Sequence, residues 1–479
     1  MIHRERLAFG SHVHPSVPAR ASVIAAELSH EPSPVRLTRL ETWDWGWGGL
    51  LLFTILLFFR PQDQIPGFQN AHLSDMAALI GLCGMLFTNL SRRNPILRLN
   101  PELLGVVALA LVILATIPTS WWPGGAFDAF QNNFIPITFG FVLIVNCVTS
   151  PKRIERICWV IVLAFGYFSI WVILNYVRGV NLVEGNRAAG PVDGFFENPN
   201  DLALNLASFL PIALIFVRRP GPPLRRMLCA GISLLMLVVV ILTKSRGGLL
   251  GTVAMLATFL LVSRSLGPAT LIALVLGGIL ILPALPESFW ARMASITDAE
   301  KDPTGSREER KQLLQEGWQV FLDHPLTGVG MEQFQNLDLG GVKRWRETHN
   351  ALLQVAAELG ICGVAVFVFL IGRTLTAAFW TQRRLSWIYR KRTRPRGVSV
   401  EPEDGLDDDE RVFLQTHGAA MVACTVGWFV SALFASVAFN WTFYYVLGLA
   451  VCGRDVVRAR AKAYARLKKV ARQEQRAIA

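Results

Sequence analysis

The sequence predicts an all-α membrane protein that crosses the bilayer about twelve times. Hydrophobic residues make up 52% of the 479 residues and charged residues only 17%, which is not the composition of an ordinary soluble protein. The apolar residues are grouped in runs that approach the roughly 20 residues that a helix needs to span a bilayer. Basic residues collect in alternate connections between these runs, as expected for a polytopic membrane protein.

The predicted spans follow one another along the chain, separated by polar connections. The first run is short, so the count is uncertain by about one helix in either direction. The runs are 45–59, 73–90, 102–119, 133–148, 157–177, 202–217, 227–243, 247–262, 268–285, 361–380, 413–433 and 435–453.

The basic residues also predict the orientation, because they favour cytoplasmic loops. With twelve spans, the basic connections 91–98, 152–156, 218–226 and 383–396 fall on one side, together with both termini. The long connection 287–349 has eight basic and eleven acidic residues, whereas 383–396 has seven basic residues and no acidic one. We therefore expect 287–349 on the outer face. The net charge of +12 is explained by topology and does not indicate a nucleic-acid partner.

The chain is accordingly divided into five parts. Residues 1–42 are rich in Ser, Pro, Arg and His without apolar periodicity, so we expect a disordered cytoplasmic tail and not a signal peptide. Residues 43–286 hold spans one to nine, and 287–349 form an external loop with an amphipathic helix. Residues 350–453 hold the last three spans with a cytoplasmic loop at 381–411, and 454–479 form a basic cytoplasmic tail. All seven cysteines lie in or beside apolar runs, so no disulfide framework or metal site is indicated.

A charged break, Thr243-Lys244-Ser245-Arg246, separates two of the apolar runs. An arginine at the bilayer centre costs about 2.5–3.5 kcal/mol, so this break is expected at the outer interface or in a wet cavity. One interpretation is a tight hairpin whose cations reach lipid phosphates. A functional site is favoured, because a basic pair on the outer side runs against the usual charge bias.

The external loop carries a second set of candidate residues on a predicted helix, 306–322. Ser306 with Glu309 fits a capping box at its start, which places Arg307 in the first turn. Leu314 and Trp318, with Phe321, form an apolar stripe for the bilayer or for neighbouring helices, and Arg307 lies on the side of Leu314. From pattern alone, a solvated helix with ion pairs is the favoured alternative.

The loop ends at His349-Asn350, immediately before an apolar run. This places a titratable imidazole at a water–lipid boundary, although a helix cap or a surface residue is the commoner explanation. Asn350 is a plausible N-cap. Glu358 falls about half a turn round the helix from His349, so we expect a structural role for it. A further external arginine, Arg187, precedes a good helix start at 198–201.

Taken together, these residues resemble the O-antigen ligase and O-antigen polymerase superfamily of bacterial membrane glycosyltransferases. No single motif is specific, but their order and sidedness are, and the likeness covers nearly all of 45–453. The matching elements are Asn198-Pro199-Asn200-Asp201, Ser245-Arg246-Gly247, Arg307, Trp318, His324-Pro325-Leu326-Thr327-Gly328-Val329-Gly330, His349-Asn350 and Glu358-Leu359-Gly360.

The resemblance implies a C-type glycosyltransferase fold in the bacterial inner membrane. It implies transfer of a glycan from an undecaprenyl-diphosphate carrier to an acceptor hydroxyl at the periplasmic face, without a cofactor. Carried onto this sequence, His349 is the catalytic residue that activates the acceptor, and Arg246 and Arg307 hold the diphosphate, with Arg187 as a further candidate. Ser245 and Asn350 are the adjoining substrate-binding residues, and no metal ligand is expected.

The acceptor is left open by the sequence. A ligase delivers a finished chain to lipid A-core or to a protein, whereas a polymerase adds a growing glycan to another carrier-linked unit, in lipopolysaccharide or exopolysaccharide synthesis. A single inverting displacement suits the residue types, because guanidinium groups stabilise a departing diphosphate and an imidazole accepts a hydroxyl proton.

Two other classes of function are weighed. A twelve-helix secondary transporter or lipid flippase also contains charges within the membrane, but the two halves of this chain show no related hydropathy pattern. A scaffold for polysaccharide export is the third possibility. The glycosyltransferase hypothesis requires that cationic side chains from separate segments gather round His349 at the outer end of the helices.

Overall fold

A computed structural model describes residues 44–61, 73–93, 95–191, 196–263, 290, 306–337, 347–392 and 405–478. Within these residues the chain is helical apart from its connections and one pair of two-residue strands. Nine helical segments in this part of the chain are long and apolar enough to cross a membrane. The prediction of an all-α polytopic membrane protein is confirmed.

The helices are numbered in chain order. They are α1 (Trp45–Phe59), α2 (Leu73–Ser91), α3 (Pro101–Thr116), α4 (Pro123–Ala129), α5 (Ile135–Cys147), α6 (Pro151–Val177), α7 (Pro199–Arg218), α8 (Pro223–Leu242), α9 (Arg246–Ser263), α10 (Ser306–Asp323), α11 (Ala351–Arg392), α12 (Asp408–Ala432) and α13 (Trp441–Ile478). A π-helical turn (Phe130–Phe134) joins α4 to α5, and 3₁₀ turns follow α3 (Ile117–Thr119) and α10 (Phe334–Asn336). Strand β1 (Leu182–Val183) pairs antiparallel with β2 (Arg187–Ala188).

One predicted span begins later in the structure than expected, and another falls outside the residues that the structure describes. The run 268–285 lies outside the described residues, as does the N-terminal tail. The run 435–453 is corrected, because α13 begins only at Trp441. The residues before it form a buried connection, in which the amide of Ala438 donates to Gln354 Oε1 at 3.1 Å and its carbonyl accepts from the Tyr444 hydroxyl at 3.1 Å. These apolar residues are therefore buried against α11 and α13 without being helical. Helix α13 then continues through the predicted basic tail.

Buried ion pairs hold together one end of the helix bundle, which we call the ion-pair end. The carboxylate of Glu102, at the start of α3, is fully buried. Arg454 of α13 binds both of its oxygens, with Nη1–Oε1 at 2.6 Å and Nη2–Oε2 at 3.0 Å. Arg373 of α11 donates from Nε to Oε1 at 2.7 Å. A charge this deeply buried is stable only with such partners, so these three helices are fixed relative to one another.

Three further ion pairs belong to the same end. Arg219, just after α7, pairs with Glu155 near the start of α6 at 2.6 Å and with Asp409 at the start of α12. Arg153 of α6 pairs with Asp44, which caps α1, at 2.6 Å. Thus α1, α3, α6 and α12 begin at the ion-pair end, whereas α7 ends there. This is the alternation that the basic connections predict.

Helix α11 is broken near its start by Gly360, whose φ is +64°. The amide of Ile361 leaves the helical pattern and donates to the carbonyl of Pro325 at 2.8 Å. The break also frees two carbonyls of the first turns, and these accept bonds of 3.0 and 2.9 Å from the amides of the 328–330 turn, namely Val329.N to Ala357 and Gly330.N to Glu358. The turn of the external loop therefore replaces hydrogen bonds that an unbroken helix would make internally.

We expect Gly360→Ala to destabilise the protein. A Cβ at this position would lie 2.5 Å from the carbonyl carbon of Leu326, and the left-handed backbone costs a non-glycine residue about 1–2 kcal/mol. The midpoint of thermal unfolding in detergent should fall. Gly372→Ala is the matched control, since Gly372 lies in the same helix with no atom near its missing Cβ. It should be neutral or stabilising, and equal melting of the two variants would contradict the role of the break.

Candidate active site

His349 lies in the short connection before α11, at the end of the bundle opposite to the ion-pair end. Its φ is +49°, a left-handed conformation that is uncommon for residues other than glycine. Its amide donates to Ser436 Oγ at 2.9 Å, and the same oxygen lies 3.0 Å from Thr348 Oγ1. Ser436 belongs to the connection between α12 and α13. This connection therefore holds the backbone of His349 in a strained geometry, as is common at functional sites.

Two of the predicted substrate-binding residues are helix caps in the structure. Asn350 Oδ1 accepts from the amides of Leu352 and Leu353 at 3.0 and 3.1 Å, which starts α11. Ser245 Oγ accepts from the amide of Gly248 at 3.2 Å, which starts α9. Both helices thus present their N-termini at the site end. A helix N-terminus carries partial positive charge and favours an anion.

The charged break at the start of α9 is attached to the connection that holds His349. Ser431 Oγ donates to the carbonyl of Gly247 at 3.4 Å, and Gly247 packs directly against Phe434. Two residues beyond Phe434 is Ser436, the partner of His349. The segment that carries Arg246 and the segment that carries His349 therefore both contact the stretch 431–436. The glycosyltransferase hypothesis requires these two segments to lie close together.

Arg187 is a buried brace beneath the charged break. Its Nε donates to the carbonyl of Thr243 at 3.0 Å, and its Nη2 donates to Asn200 Oδ1 at 2.9 Å. Nη1 lies 3.3 Å from Glu184. These contacts fix the residue before Lys244, which is itself buried with a φ of +50°. These contacts favour a positioning role for Arg187 in the turn that carries Lys244 and Arg246, and its predicted contact with the diphosphate stays a prediction.

Helix α10 begins at Ser306, as the capping box predicts. The side chain of Arg307 lies outside the described residues, so its predicted position near His349 is untested. The structure assigns electrostatic interaction with His349 to Arg310, one turn further along α10. Sequence analysis missed this residue.

A periodic pattern in α10 marks the side on which Arg310 lies. Leu313 and Val320 pack inward, and Gly317 lies against Leu353 of α11. These positions follow Arg310 at spacings of three, seven and ten residues, which is one helical face. The predicted stripe is on another face: Leu314 and Trp318 are 40% and 54% exposed. The exposed stripe agrees with the bilayer alternative, and the inward pattern was the signal that could have identified Arg310.

The imidazole of His349 is neutral in this environment. Partial burial, with a smaller contribution from the positive charge of Arg310, lowers the pKa of His349 from 6.5 to about 4. At neutral pH one ring nitrogen therefore keeps its lone pair and can accept a proton.

Carboxyl groups lie beside the same segment. Asn133 donates to Glu332 Oε1 at 2.8 Å, and the amide of Glu332 donates to Glu358 Oε2 at 2.9 Å. Burial raises the pKa of Glu332 and of Glu347, and the charge of Glu332 adds to the effect on Glu347. Glu347 also interacts electrostatically with Asp201 at the start of α7. Glu358 thus ties the loop to α11, in line with its expected structural role.

Among the described residues, no group of three or more His, Cys, Asp or Glu could hold a metal ion.

The comparison with protein families agrees with this geometry. Residues 231–368 match the family model described as O-antigen ligase. The matched stretch contains the start of α9, helix α10 and the segment of His349. The likeness to the O-antigen ligase and polymerase superfamily is thereby confirmed, and it supports a multi-pass membrane glycosyltransferase of the O-antigen ligase type. No curated protein matches the chain.

We expect Ser436→Ala to loosen the backbone at His349 without unfolding the protein. One hydrogen bond contributes about 1 kcal/mol, so amide exchange of the segment 347–350 should be roughly fivefold faster. Hydrogen–deuterium exchange with mass spectrometry measures this. Ser233→Ala is the control, because the Ser233 hydroxyl bonds only its own helix, to the Cys229 carbonyl at 2.7 Å. Unchanged exchange in Ser436→Ala would show that the hydroxyl does not hold the segment.

Proposed function

We propose that the chain transfers a glycan from undecaprenyl diphosphate to an acceptor hydroxyl at the periplasmic face of the inner membrane. One observation carries this proposal: His349 has a neutral imidazole on which the charge of Arg310 acts, and its strained backbone is held by the connection that contacts the Arg246 segment. The match to O-antigen ligases supports the class of reaction.

The cationic groups suit the leaving diphosphate. When the bond from the anomeric carbon to the phosphate oxygen breaks, negative charge develops on that oxygen. Arg246 and Arg310 are proposed to bind the diphosphate oxygens, and each charge-assisted hydrogen bond contributes about 1.5–3 kcal/mol. The N-terminus of α9, capped by Ser245, adds partial positive charge. Such fixed donors stabilise the transition state more than the ground state when they face the oxygen that gains charge.

His349 is proposed to act as the general base. The acceptor oxygen forms the new bond to the anomeric carbon while its proton passes to the free nitrogen of the imidazole. The carrier leaves as the diphosphate, and the protonated imidazole then returns its proton to solvent. Attack opposite to the leaving group inverts the anomeric configuration. This scheme is proposed to run without a metal, because the guanidinium groups neutralise the leaving group.

Donor binding should make His349 a better base. Burial and the charge of Arg310 lower the pKa of His349 to about 4. An anionic diphosphate beside Arg310 offsets that positive charge and therefore raises the pKa of the imidazole. The base is thus neutral before the donor arrives and gains proton affinity once the donor is bound.

The remaining predicted residues take supporting parts in the proposal. Arg187 positions the turn of Arg246 through the Thr243 carbonyl. Asn350, the residue after His349, caps the start of α11 and so fixes one end of the segment that carries His349. Arg307 stays a predicted diphosphate ligand on α10.

The nature of the acceptor decides between ligase and polymerase, and it is tested by product size. A deletion strain that accumulates single repeat units on the carrier would indicate a polymerase. A strain that accumulates full-length polymer on the carrier, with none on lipid A-core or protein, would indicate a ligase.

We expect His349→Ala to abolish turnover in a purified system. Loss of a general base lowers kcat by about 10²–10⁴-fold. The assay follows glycan transfer in detergent from purified lipid-linked donor to acceptor, with the product identified by mass spectrometry. His324→Ala is the matched control, since His324 is an exposed histidine of the same external loop. It should keep wild-type activity.

Several outcomes of this assay would contradict the proposal. A transporter or flippase gives no turnover in detergent even in the wild type, and a scaffold is insensitive to His349→Ala. Loss of wild-type activity in chelator would exclude the metal-independent scheme, and retention of the anomeric configuration would exclude the single displacement.

The pH dependence provides a second test. The base must be neutral, so activity falls as the pH drops through the pKa of His349. The acid limb of kcat/KM reports the pKa of His349 in the free enzyme, and the acid limb of kcat reports its pKa in the donor complex. Because donor binding raises this pKa, the acid limb of kcat should lie at higher pH. Arg310→Gln removes a charge that lowers the pKa of His349, and the acid limb of kcat/KM should therefore move up toward 6.5.

Lys311→Gln is the matched control for this profile. Lys311 is an exposed neighbour on α10 that pairs with Glu308 at 3.7 Å. Its loss should leave the acid limb in place. Equal shifts in the two variants, or no shift in Arg310→Gln, would mean that Arg310 does not act on the imidazole.

A further inference from the structure

An apolar groove runs between α3 and α11, on the outside of the helix bundle. Its volume is about 450 Å³, and it is open along one side. Both helices are among those long and apolar enough to cross a membrane. The open side of the groove therefore faces lipid. The lining residues are Pro101, Leu104, Gly105, Ala108, Ala365, Val366 and Phe369.

Small residues create the groove. Gly105 allows Leu370 and the ring of Phe369 to approach α3 closely, since a Cβ on Gly105 would lie 2.7 Å from Leu370 Cδ2. Ala108 and Ala365 leave the space beside this contact unfilled. Leu104 and Phe369 are exposed along its rim. The result is a trough with apolar walls between the two helices.

A cationic group lies at one end of the groove. Arg373 follows Phe369 by one helical turn, and its Nε donates to Glu102 Oε1 at 2.7 Å. Glu102 already accepts two bonds from Arg454. The side chain of Arg373 is 29% exposed, against 4% for Arg454. Arg373 thus binds, through Nε and Nη2, a carboxylate that another arginine holds on both oxygens, and part of its side chain stays at the surface.

We propose that this groove, the α3/α11 groove, binds a phospholipid with an anionic headgroup. The phosphate of the lipid contacts Arg373 at the ion-pair end, and one acyl chain lies along Leu104, Ala108 and Ala365 toward the middle of the bilayer. The arrangement matches an amphiphile. The charged end of the groove is at the start of α3, and the apolar part of the groove extends from there along the membrane span.

The charge at the ion-pair end selects the headgroup. Any phospholipid offers a phosphate to Arg373, but a zwitterionic headgroup also brings an ammonium group toward neighbouring arginines. One of these, Arg458, lies 4.7 Å above the ring of Trp380 on α11. The predicted cytoplasmic side carries most of the basic residues of the chain, and it faces the leaflet to which basic segments are attracted through anionic lipids. An anionic headgroup such as phosphatidylglycerol is therefore preferred over phosphatidylcholine.

The test is native mass spectrometry of the purified full chain, released from detergent with either phosphatidylglycerol or phosphatidylcholine. The wild type should retain one phosphatidylglycerol at concentrations where phosphatidylcholine is lost. Arg373→Gln keeps a hydrogen-bonding side chain of similar length, and Glu102 keeps Arg454. Its affinity for phosphatidylglycerol should fall about tenfold, as expected for one charge-assisted bond. Arg383→Gln, on the same helix over the ring of Phe379, is the matched control and should bind as the wild type does.

A second variant tests the apolar part of the groove. Ala365→Trp places a large ring in the trough from an exposed position and should prevent retention of the lipid. Leu234→Trp adds the same ring at an exposed position of α8, away from the groove, and should have no effect. Thermal unfolding of lipid-free samples verifies that each variant is folded. If Ala365→Trp fails to fold, Arg373→Gln alone decides.

Three results would overturn the proposal. Equal retention of the two lipids by the wild type would show that the contact is not selective. Wild-type affinity in Arg373→Gln would show that the phosphate binds elsewhere. A co-purified isoprenoid in place of a phospholipid would assign the groove to the tail of a carrier. Glycan transfer is not needed for any of these readouts, so the proposal stands or falls independently of the proposed function.

Discussion

The site depends on how hydrogen bonds are satisfied where α11 is broken. Backbone groups at membrane depth need partners within the protein, because lipid supplies none. At Gly360 the helix loses its own partners, and the turn 325–330 of the external loop supplies them. This exchange fastens the loop to α11, and through Leu313 and Gly317 it also fastens α10. The positive charge of Arg310 can therefore act on His349 although the two residues lie on separate segments.

The strain at the site is balanced by the order at the opposite end. Lys244, Glu332 and His349 all have positive φ values, each at a cost of about 1–3 kcal/mol. The ion pairs of Glu102 and Arg219 join six helices to one another at that end of the bundle. The positions of these helices at the opposite end are therefore fixed as well. A rigid bundle with a strained rim is a suitable scaffold for reactive groups, because the rim has little freedom to relax.

Much of this architecture could be predicted from the sequence. Apolar runs mark the segments that cross the lipid, and basic connections mark the side of the membrane on which the segments begin and end. The cap Asn350 was also visible as a local pattern, whereas the capping role of Ser245 and the break at Gly360 became clear only from the structure. Arg310 was missed, because Arg307 fits the local start of α10 equally well, and the pattern of Leu313, Gly317 and Val320 that favours Arg310 gains its meaning from packing against α11. Ser436 was hidden for a related reason: it lies in the apolar stretch 435–440, which looks like part of a span until its contacts with Gln354 and His349 are known.

The outward face of α10 has a consequence for the height of the site. Leu314, Trp318, Leu322 and Leu326 are exposed there, and a helix with such a stripe settles at the boundary between headgroups and acyl chains. Because α10 packs against α11 through Gly317 and Leu353, the depth of α10 in the interface also sets the height of the His349 imidazole above the hydrocarbon. In the proposed reaction, the thickness of the surrounding leaflet would then determine whether a lipid-anchored pyrophosphate reaches the ring or stays below it.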